Sequence, residues 1–381
     1  MAERLEQSGP VAVYGATGYT GRLVAAELQR RGADFVLAGR SAEKLAALAS
    51  SLGSGIPTVA VRLDDAPGLR GLLEPCSAVI ACAGPFTLHG EPVLGAAVDT
   101  GTHYLDTSGE QGFIAMAFDR YADRASRSGV IVVPAMGFDY VPGDMIAALT
   151  ASGMGSLDEL AVAYSLRDFE MTRGTMHSAL RSIGAGGDIE YRDGAWRPAS
   201  GGVDRGTWEF PPPVGAQRMI RYPGGEPVTV PRHVDTRNVS TMFSAATVLP
   251  SARLVPAAPA LMPLIGLAMR TPLRGAADAV IDRLREGPGE DARRATRFMI
   301  SCEARAGTSR RRGTVTGTDV YGVTAHTIVH AALLAAVPGY EGRGALAPSQ
   351  AFDPGRFLSA LGEFGVDHEV EPLPEPAPAA A

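Results

Sequence analysis

The chain has 381 residues, a formal net charge of −6 at pH 7 and 45% hydrophobic residues, a length that calls for two domains rather than one core. The acidic balance leaves no basic footprint for nucleic acid, and Cys76, Cys82 and Cys302 are odd in number with no C-x-x-C, so neither a disulfide framework nor a zinc site is expected. Residues 1–9 read as a flexible N-terminus without the apolar run of a signal peptide, which together with the cysteine usage points to a reducing, cytoplasmic setting.

The first predicted strand, beginning at Val11, runs through Tyr14 into Gly15-Ala16-Thr17-Gly18-Tyr19-Thr20-Gly21-Arg22. Three glycines spaced three apart, after a strand and before a helix, have the form of a dinucleotide phosphate cradle. Gly15 permits a tight turn, Gly18 lets the main chain approach a pyrophosphate, and Gly21 lets the helix pack on the strand. The helix runs from Leu23 to Gly32, and the second strand, Phe35 to Ala38, completes one βαβ unit. That strand ends in Gly39-Arg40-Ser41, with no acidic residue to hold a ribose 2′-hydroxyl. Arginine there suits a 2′-phosphate, and a charge-assisted hydrogen bond worth about 1.5–3 kcal/mol favours NADP over NAD by about ten- to a hundredfold. Ser41 and Lys44 are helpers, and Asp64 joins the cofactor set.

The strand-helix alternation continues with strands at Ala60–Leu63, Ala78–Cys82, His103–Asp106 and Val130–Val133, and helices at Gly68–Leu73, Pro92–Thr100 and Phe113–Ser128. Such alternation implies a parallel, doubly wound sheet. Ala83, Gly84 and Pro85 follow the fourth strand, where a loop passes beneath a nicotinamide ribose; an ordinary βα turn needs the same residues. Phe86 is assigned to substrate. His103, Tyr104, Asp106, Ser108 and Glu110 cluster at the end of the next strand, and Asp139 and Tyr140 follow the one after. Hydride transfer from a nicotinamide to an unsaturated acceptor needs a proton source. Tyr104 and Tyr140 are the candidates, with Asp139 orienting them; a buried structural tyrosine is the competing reading.

From Glu159 to Tyr321 the texture changes to strand-like runs at Leu160–Leu166, Arg218–Tyr222, Val228–Val230, Thr296–Glu303 and Thr314–Tyr321, separated by Pro- and Gly-rich loops. Arg173 and His233 are candidates for a carboxylate or thioester oxygen, with surface ion pairing as the alternative. Arg310-Arg311-Arg312 reads as a solvated hairpin. The apolar stretch Leu254–Met269 contains Pro256, Pro259 and Pro263 and falls short of a membrane span, so membrane association is not expected. His326-Thr-Ile-Val-His330 lacks the glutamate of H-E-x-x-H, so no metal is assigned. Val323–Val337 reads as a long helix.

Gly15-Ala-Thr-Gly-Tyr-Thr-Gly21-Arg22, Ala38-Gly-Arg40, Ala83-Gly-Pro-Phe86 with Gly90-Glu-Pro92, Gly101-Thr-His-Tyr-Leu-Asp106 with Gly109-Glu110, and Gly137-Phe-Asp-Tyr-Val-Pro142 together carry a resemblance. The chain resembles the saccharopine dehydrogenase-like NADP-binding superfamily, nearest the branch of trans-acting enoyl reductases. The resemblance is strong over the first 145 residues and loose beyond them. Tyr140 stands where members usually carry serine, and Leu88-His89 where a tyrosine is common.

The expected fold is α/β, an N-terminal Rossmann-type doubly wound parallel sheet with a second α+β mixed-sheet domain. Its expected divisions are an NADP-binding domain over 10–147, a substrate domain over 148–322, a helical segment over 323–370 packing near the first domain, and a disordered tail over 371–381. The resemblance implies an NADPH-dependent reductase of an activated C=C bond in an acyl or polyketide-like substrate. The alternatives are a C=N reductase and a non-catalytic NADP-binding module. A small-molecule substrate, free or carrier-bound, is the expected partner, nucleic acid is not, and a homodimer is left open.

Overall fold

A computed structural model describes residues 6–185, 188–199, 206–248, 271 and 273–374. The chain divides into two compact units, each assembled from three separate stretches: Met1–Phe138, Thr172–Ser178 and Tyr321–Phe352 in the first; Asp139–Met171, Ala179–Val320 and Asp353–Ala381 in the second. The first unit therefore closes at Phe138, ahead of the expected 147. The segment after 323 is divided: up to Phe352 it belongs to the first unit, and from Asp353 it belongs to the second.

The first unit is a parallel, Rossmann-like sheet of seven strands. Strands β1 (Val11–Tyr14), β2 (Phe35–Gly39), β3 (Thr58–Ala60), β4 (Ala78–Ala81), β5 (His103–Asp106) and β6 (Ile131–Val133) alternate with helices α1 (Tyr19–Arg30), α2 (Ala42–Leu52), α3 (Ala66–Leu73), α4 (Phe86–Thr100) and α5 (Gln111–Ser128). Gly344–Ala345 adds a short seventh strand beside β6. β1 pairs with β2 on one side and β4 on the other, so the order reverses at β1, where such sheets open a ligand crevice. β1, β2, β4 and β6 are buried on both faces, whereas the edge strand β3 is largely exposed, and Ala12, Val79, Leu94, Tyr104 and Val132 belong to one continuous core.

Three local expectations change. The third strand is Thr58–Ala60, and Arg62 and Asp64 lie beyond it in the loop. Helix α4 starts at Phe86, carrying Pro92 inside it, because its first turn is capped from another loop by Glu110. The N-terminus is anchored as far as residue 7: Gln7 Nε2 donates to the Asp34 carbonyl at 3.1 Å and the Ser8 N–H to the Ala336 carbonyl at 2.9 Å. Residues 1–5 lie outside the described residues.

The second unit is built on a mixed sheet. Its strands are β7 (Glu159–Arg167), β8 (Ile189–Arg192), β9 (Ala195–Pro198), β10 (Thr207–Phe210), β11 (Gly215–Arg221), β12 (Val239–Ser244), β13 (Arg297–Ala306) and β14 (Ser309–Thr318), with β16 (Asp367–Leu373) at one edge; the Gly344–Ala345 strand of the first unit is β15. β12 runs parallel to β7, whereas β13 is antiparallel to both β7 and β14. Helix α6 (Val141–Ala151) lies on β13 and β14. A Cβ on Gly313 would stand 2.6 Å from Ile146 Cγ1, so glycine there admits the helix.

Val228–Val230 is not a strand: Glu226–Thr229 forms a helical turn with Pro227 in its first positions, where the fixed φ of proline favours helix. Arg310, Arg311 and Arg312 sit within β14, not in the hairpin tip, which is Gly307-Thr308 with Gly307 at φ +58°; Arg310 and Arg312 pair with Glu303 at 2.9 and 2.7 Å. Residues 371–373 of the expected tail are strand, and 375–381 lie outside the described residues, as does 254–269. Among the described residues no helix is long and apolar enough to cross a membrane.

Candidate functional site

In the first unit the phosphate loop follows from its glycines. Gly15 has φ +81°, and a Cβ there would lie 2.9 Å from Ala83 N, so the loops leaving β1 and β4 meet at this glycine. A Cβ on Gly21 would lie 2.8 Å from Ala16 Cα, and its absence lets α1 seat against the turn. Gly18 carries no side-chain cap, so the first turn of α1 presents backbone N–H groups where an anion binds. Arg22 Nη1 donates to the Thr17 carbonyl at 2.7 Å and braces the loop. Thr17, Gly18, Tyr19 and Thr20 are half-buried and Ala16 is buried. These residues fit a dinucleotide pyrophosphate.

Arg40 is exposed at the end of β2. Ser41 caps α2, its Oγ accepting the Lys44 N–H at 3.4 Å, which fixes the turn carrying both cations. Tyr14 lies nearby with its hydroxyl on the Val61 carbonyl at 3.2 Å; burial raises its pKa while the charges of Arg40, Asp64 and Arg62 bear on it. Asp64 is paired with Arg62 at 3.0 Å. The structure thus adds Arg62, which the sequence reading had passed over, to the charges around Arg40.

At the β4 and β5 ends, Ala83 and Pro85 are half-buried and Gly84 is exposed. Phe86 is 5% exposed and packs on Phe113, ring centroids 5.6 Å apart, so it is core beneath the loop rather than a ligand contact. Tyr104 is fully buried in the same core; strand alternation turns it inward two residues before the rim. Asp106, also fully buried, accepts the Ser108 N–H at 2.8 Å and the Ala135 N–H at 3.0 Å on Oδ1. Burial pushes its pKa up to about 6 against the hydrogen bonds from the Ser108 and Ala135 N–H groups. Ala135 takes φ +62° to make that contact, so Asp106 holds the loop after β6 as well as its own.

Arg173 is half-buried in the first turn of α7 (Arg173–Ala185). That turn is tied down by Thr172, whose N–H donates to Tyr321 Oη at 2.9 Å, and the Tyr321 ring meets Tyr19 edge-on at 5.3 Å. The start of α7 is thereby linked to the phosphate loop through two tyrosines.

In the second unit, Asp139 is exposed, yet surrounding protein atoms push its carboxyl up to about 6. Tyr140 is 1% exposed and hydrogen-bonds Tyr222. His233 Nε2 lies 2.9 Å from Asp144 Oδ2 in α6, so it is engaged internally. A group absent from the sequence reading lies beside them: buried Glu226 accepts the Tyr164 hydroxyl on Oε1 and the Thr241 hydroxyl at 3.0 Å on Oε2. Burial pushes Glu226 up to about 7. A Cβ on Gly143 would fall on Tyr164 Oη and 2.7 Å from Glu226 Oε1, so the glycine of the Tyr140-Val-Pro-Gly143-Asp144 run was the available signal. Among the described residues no cluster of three His, Cys, Asp or Glu side chains could hold a metal ion.

Residues 11–133 match the saccharopine dehydrogenase NADP-binding domain. A trans-acting enoyl reductase of Mycobacterium bovis is 31% identical over 236 residues, covering 58% of this chain and 55% of that protein. A saccharopine dehydrogenase-like oxidoreductase of Bos taurus is 29% identical over 161 residues, covering 38% of each. The chain thus spans between a third and about half the length of these curated relatives. Among solved structures, the apo saccharopine dehydrogenase (L-Glu forming) of Saccharomyces cerevisiae aligns with TM-score 0.60 at 14% identity, covering 96% of this chain and 100% of that one; the likeness is one of fold.

Proposed function

We propose, from the match of residues 11–133 to the saccharopine dehydrogenase NADP-binding domain, that the protein is an NADPH-dependent reductase of an activated C=C bond in an acyl or polyketide-like substrate. The observation that carries the cofactor half is the pairing of an uncapped α1 start with Arg40 and Lys44 beside the capped turn of α2. The name borne by the Mycobacterium relative supports C=C over other acceptors. NADPH, when bound, supplies the hydride. The chain's own residues do the rest: Gly18 and the first turn of α1 hold the pyrophosphate, Arg40 with Ser41 and Lys44 holds the 2′-phosphate, and Ala83, Gly84 and Pro85 line the nicotinamide ribose. Arg173 orients the substrate oxygen. Substrate enters as a small molecule, free or on a carrier.

The test is to give the purified protein NADPH deuterated on each C4 face in turn, with small-molecule extract and a trans-2-octenoyl thioester, and to search for deuterated products by mass spectrometry. Label on a carbon β to a carbonyl supports the proposal. Label on a carbon bearing nitrogen replaces it with C=N reduction. NADPH binding with no labelled product in any mixture turns it toward a non-catalytic binding module.

A further inference from the structure

Within the first unit, β2 and β3 run side by side as far as Gly39 and Ala60, and the Val61 N–H donates to the Gly39 carbonyl at 2.9 Å, so the chain leaves both strands at one level. Arg40 and Arg62 follow within two residues, both exposed, on the rim where the turn into α2 begins. Tyr14 of β1 ties the two ends together: its hydroxyl donates to the Val61 carbonyl at 3.2 Å, and the charges of Arg40, Asp64 and Arg62 all bear on it. Arg62 is oriented by a fork, Nε to Asp64 Oδ1 and Nη2 to Asp64 Oδ2, each at 3.0 Å. An exposed pair of this kind adds little to stability. What it does is cancel an acid at the rim and turn one edge of the planar guanidinium to Asp64. Nη1 has no partner among the described residues, which leaves the Nη1–Nη2 edge, equally suited to forking a phosphate.

We propose that Arg62 is a second specificity-determining residue, gripping the adenosine 2′-phosphate of NADPH together with Arg40; the proposal rests on the cofactor half of the reading above and not on the acceptor. A phosphate monoester presents three strong acceptor oxygens, enough for a separate contact from each guanidinium. Asp64 left unpaired at the same rim would repel that phosphate, so the fork from Arg62 removes a repulsion as well as orienting a donor. NADH lacks the phosphate and is indifferent to both effects.

The experiment titrates wild type, Arg62→Ala and the double variant Arg62→Ala/Asp64→Ala calorimetrically with adenosine 2′,5′-bisphosphate and with 5′-AMP, which differ only by the 2′-phosphate. Arg62→Ala is expected to weaken the bisphosphate about fivefold or more, a contact on an exposed and screened arginine being weaker than a buried one, and to leave 5′-AMP nearly unchanged. The double variant, freed of the Asp64 charge, is expected to recover part of the loss and still bind the bisphosphate less tightly than wild type. Phosphorus NMR gives a second readout: the 2′-phosphate, which titrates near pH 6 as a free monoester, should titrate lower when bound to wild type and move part of the way back in Arg62→Ala. Unchanged bisphosphate affinity in Arg62→Ala, or a double variant as tight as wild type, overturns the inference and leaves Arg40 as the 2′-phosphate residue. A wild type that binds the bisphosphate no better than 5′-AMP overturns the assignment of Arg40 as well.

Discussion

The Phe86 N–H donates to Glu110 Oε1 at 2.7 Å, so a buried acid from the loop after β5 caps a helix that starts at the end of the β4 loop. The other carboxylate oxygen takes the Thr87 N–H at 2.8 Å and the Thr87 hydroxyl at 2.5 Å. Negative charge at a helix N-terminus is favoured by the aligned peptide dipoles. Glu110→Ala is expected to cost about 2–3 kcal/mol in urea unfolding, with NADPH affinity falling as Ala83-Gly84-Pro85 loosens. Glu110→Gln, which keeps an acceptor, should cost less.

Arg40→Ala is expected to weaken NADPH binding by about ten- to a hundredfold and NADH binding hardly at all, since only NADPH brings the 2′-phosphate to a charge-assisted bond. Fluorescence titrations with both nucleotides read the difference. Equal losses would remove Arg40 from the 2′-phosphate site.

Gly21→Ala places a methyl 2.8 Å from Ala16 Cα and 2.9 Å from Ala16 C, both backbone atoms that cannot step aside. Overpacking of this kind costs about 1–3 kcal/mol. Because the strain falls on the phosphate loop itself, calorimetric titration should show NADPH affinity reduced along with thermal stability.

The raised pKa of Asp106, about 6 in the fold against about 3.9 for a free aspartate, means that the fold binds more protons than the unfolded chain between those values. Stability therefore falls as pH rises from 4 to 6, on the order of 3 kcal/mol from this group, and the loss is complete above 6. Asp106→Asn should flatten that part of the curve. Glu27 acts in the other sense: Arg30, Arg31 and His326 hold its pKa far below the carboxylate range despite burial, so its contribution is present at neutral pH and lost in acid. Denaturant titrations of wild type and Asp106→Asn from pH 3 to 7 separate the two slopes.

The first unit was legible because its signals are local. An apolar strand, a spaced glycine triplet, an amphipathic helix and an arginine at the next strand end lie within thirty or so residues of one another. Tyr104 and Phe86 were read as rim residues from their place at element ends, and only the packing of α4 and α5 turns them into core. In the second unit the determinants are far apart in sequence: β7 pairs β13 with Leu160 opposite Ala304, and Glu226 meets Tyr164 across the chain. No period of 2 or 3.6 encodes such a meeting. Arg310–Arg312 looked like a tip because charge suggests solvent, yet a two-residue turn at Gly307 placed them in a strand opposite Glu303.

Strand β16 closes one edge of the second sheet by pairing Asp367–Thr316 through Leu373–Arg310. On the ribosome, β14 emerges well before that partner does, and the chain between them returns first to the other unit, whose short strand at Gly344–Ala345 must dock beside β6. Neither sheet can finish until its late strand, Gly344–Ala345 in the first and Asp367–Leu373 in the second, has left the exit tunnel. During synthesis the open side of β14 is an unpaired template for another nascent chain, which makes the speed of translation between Thr318 and Leu373, and the presence of a chaperone that shields strand edges, determinants of how much folded protein a cell recovers.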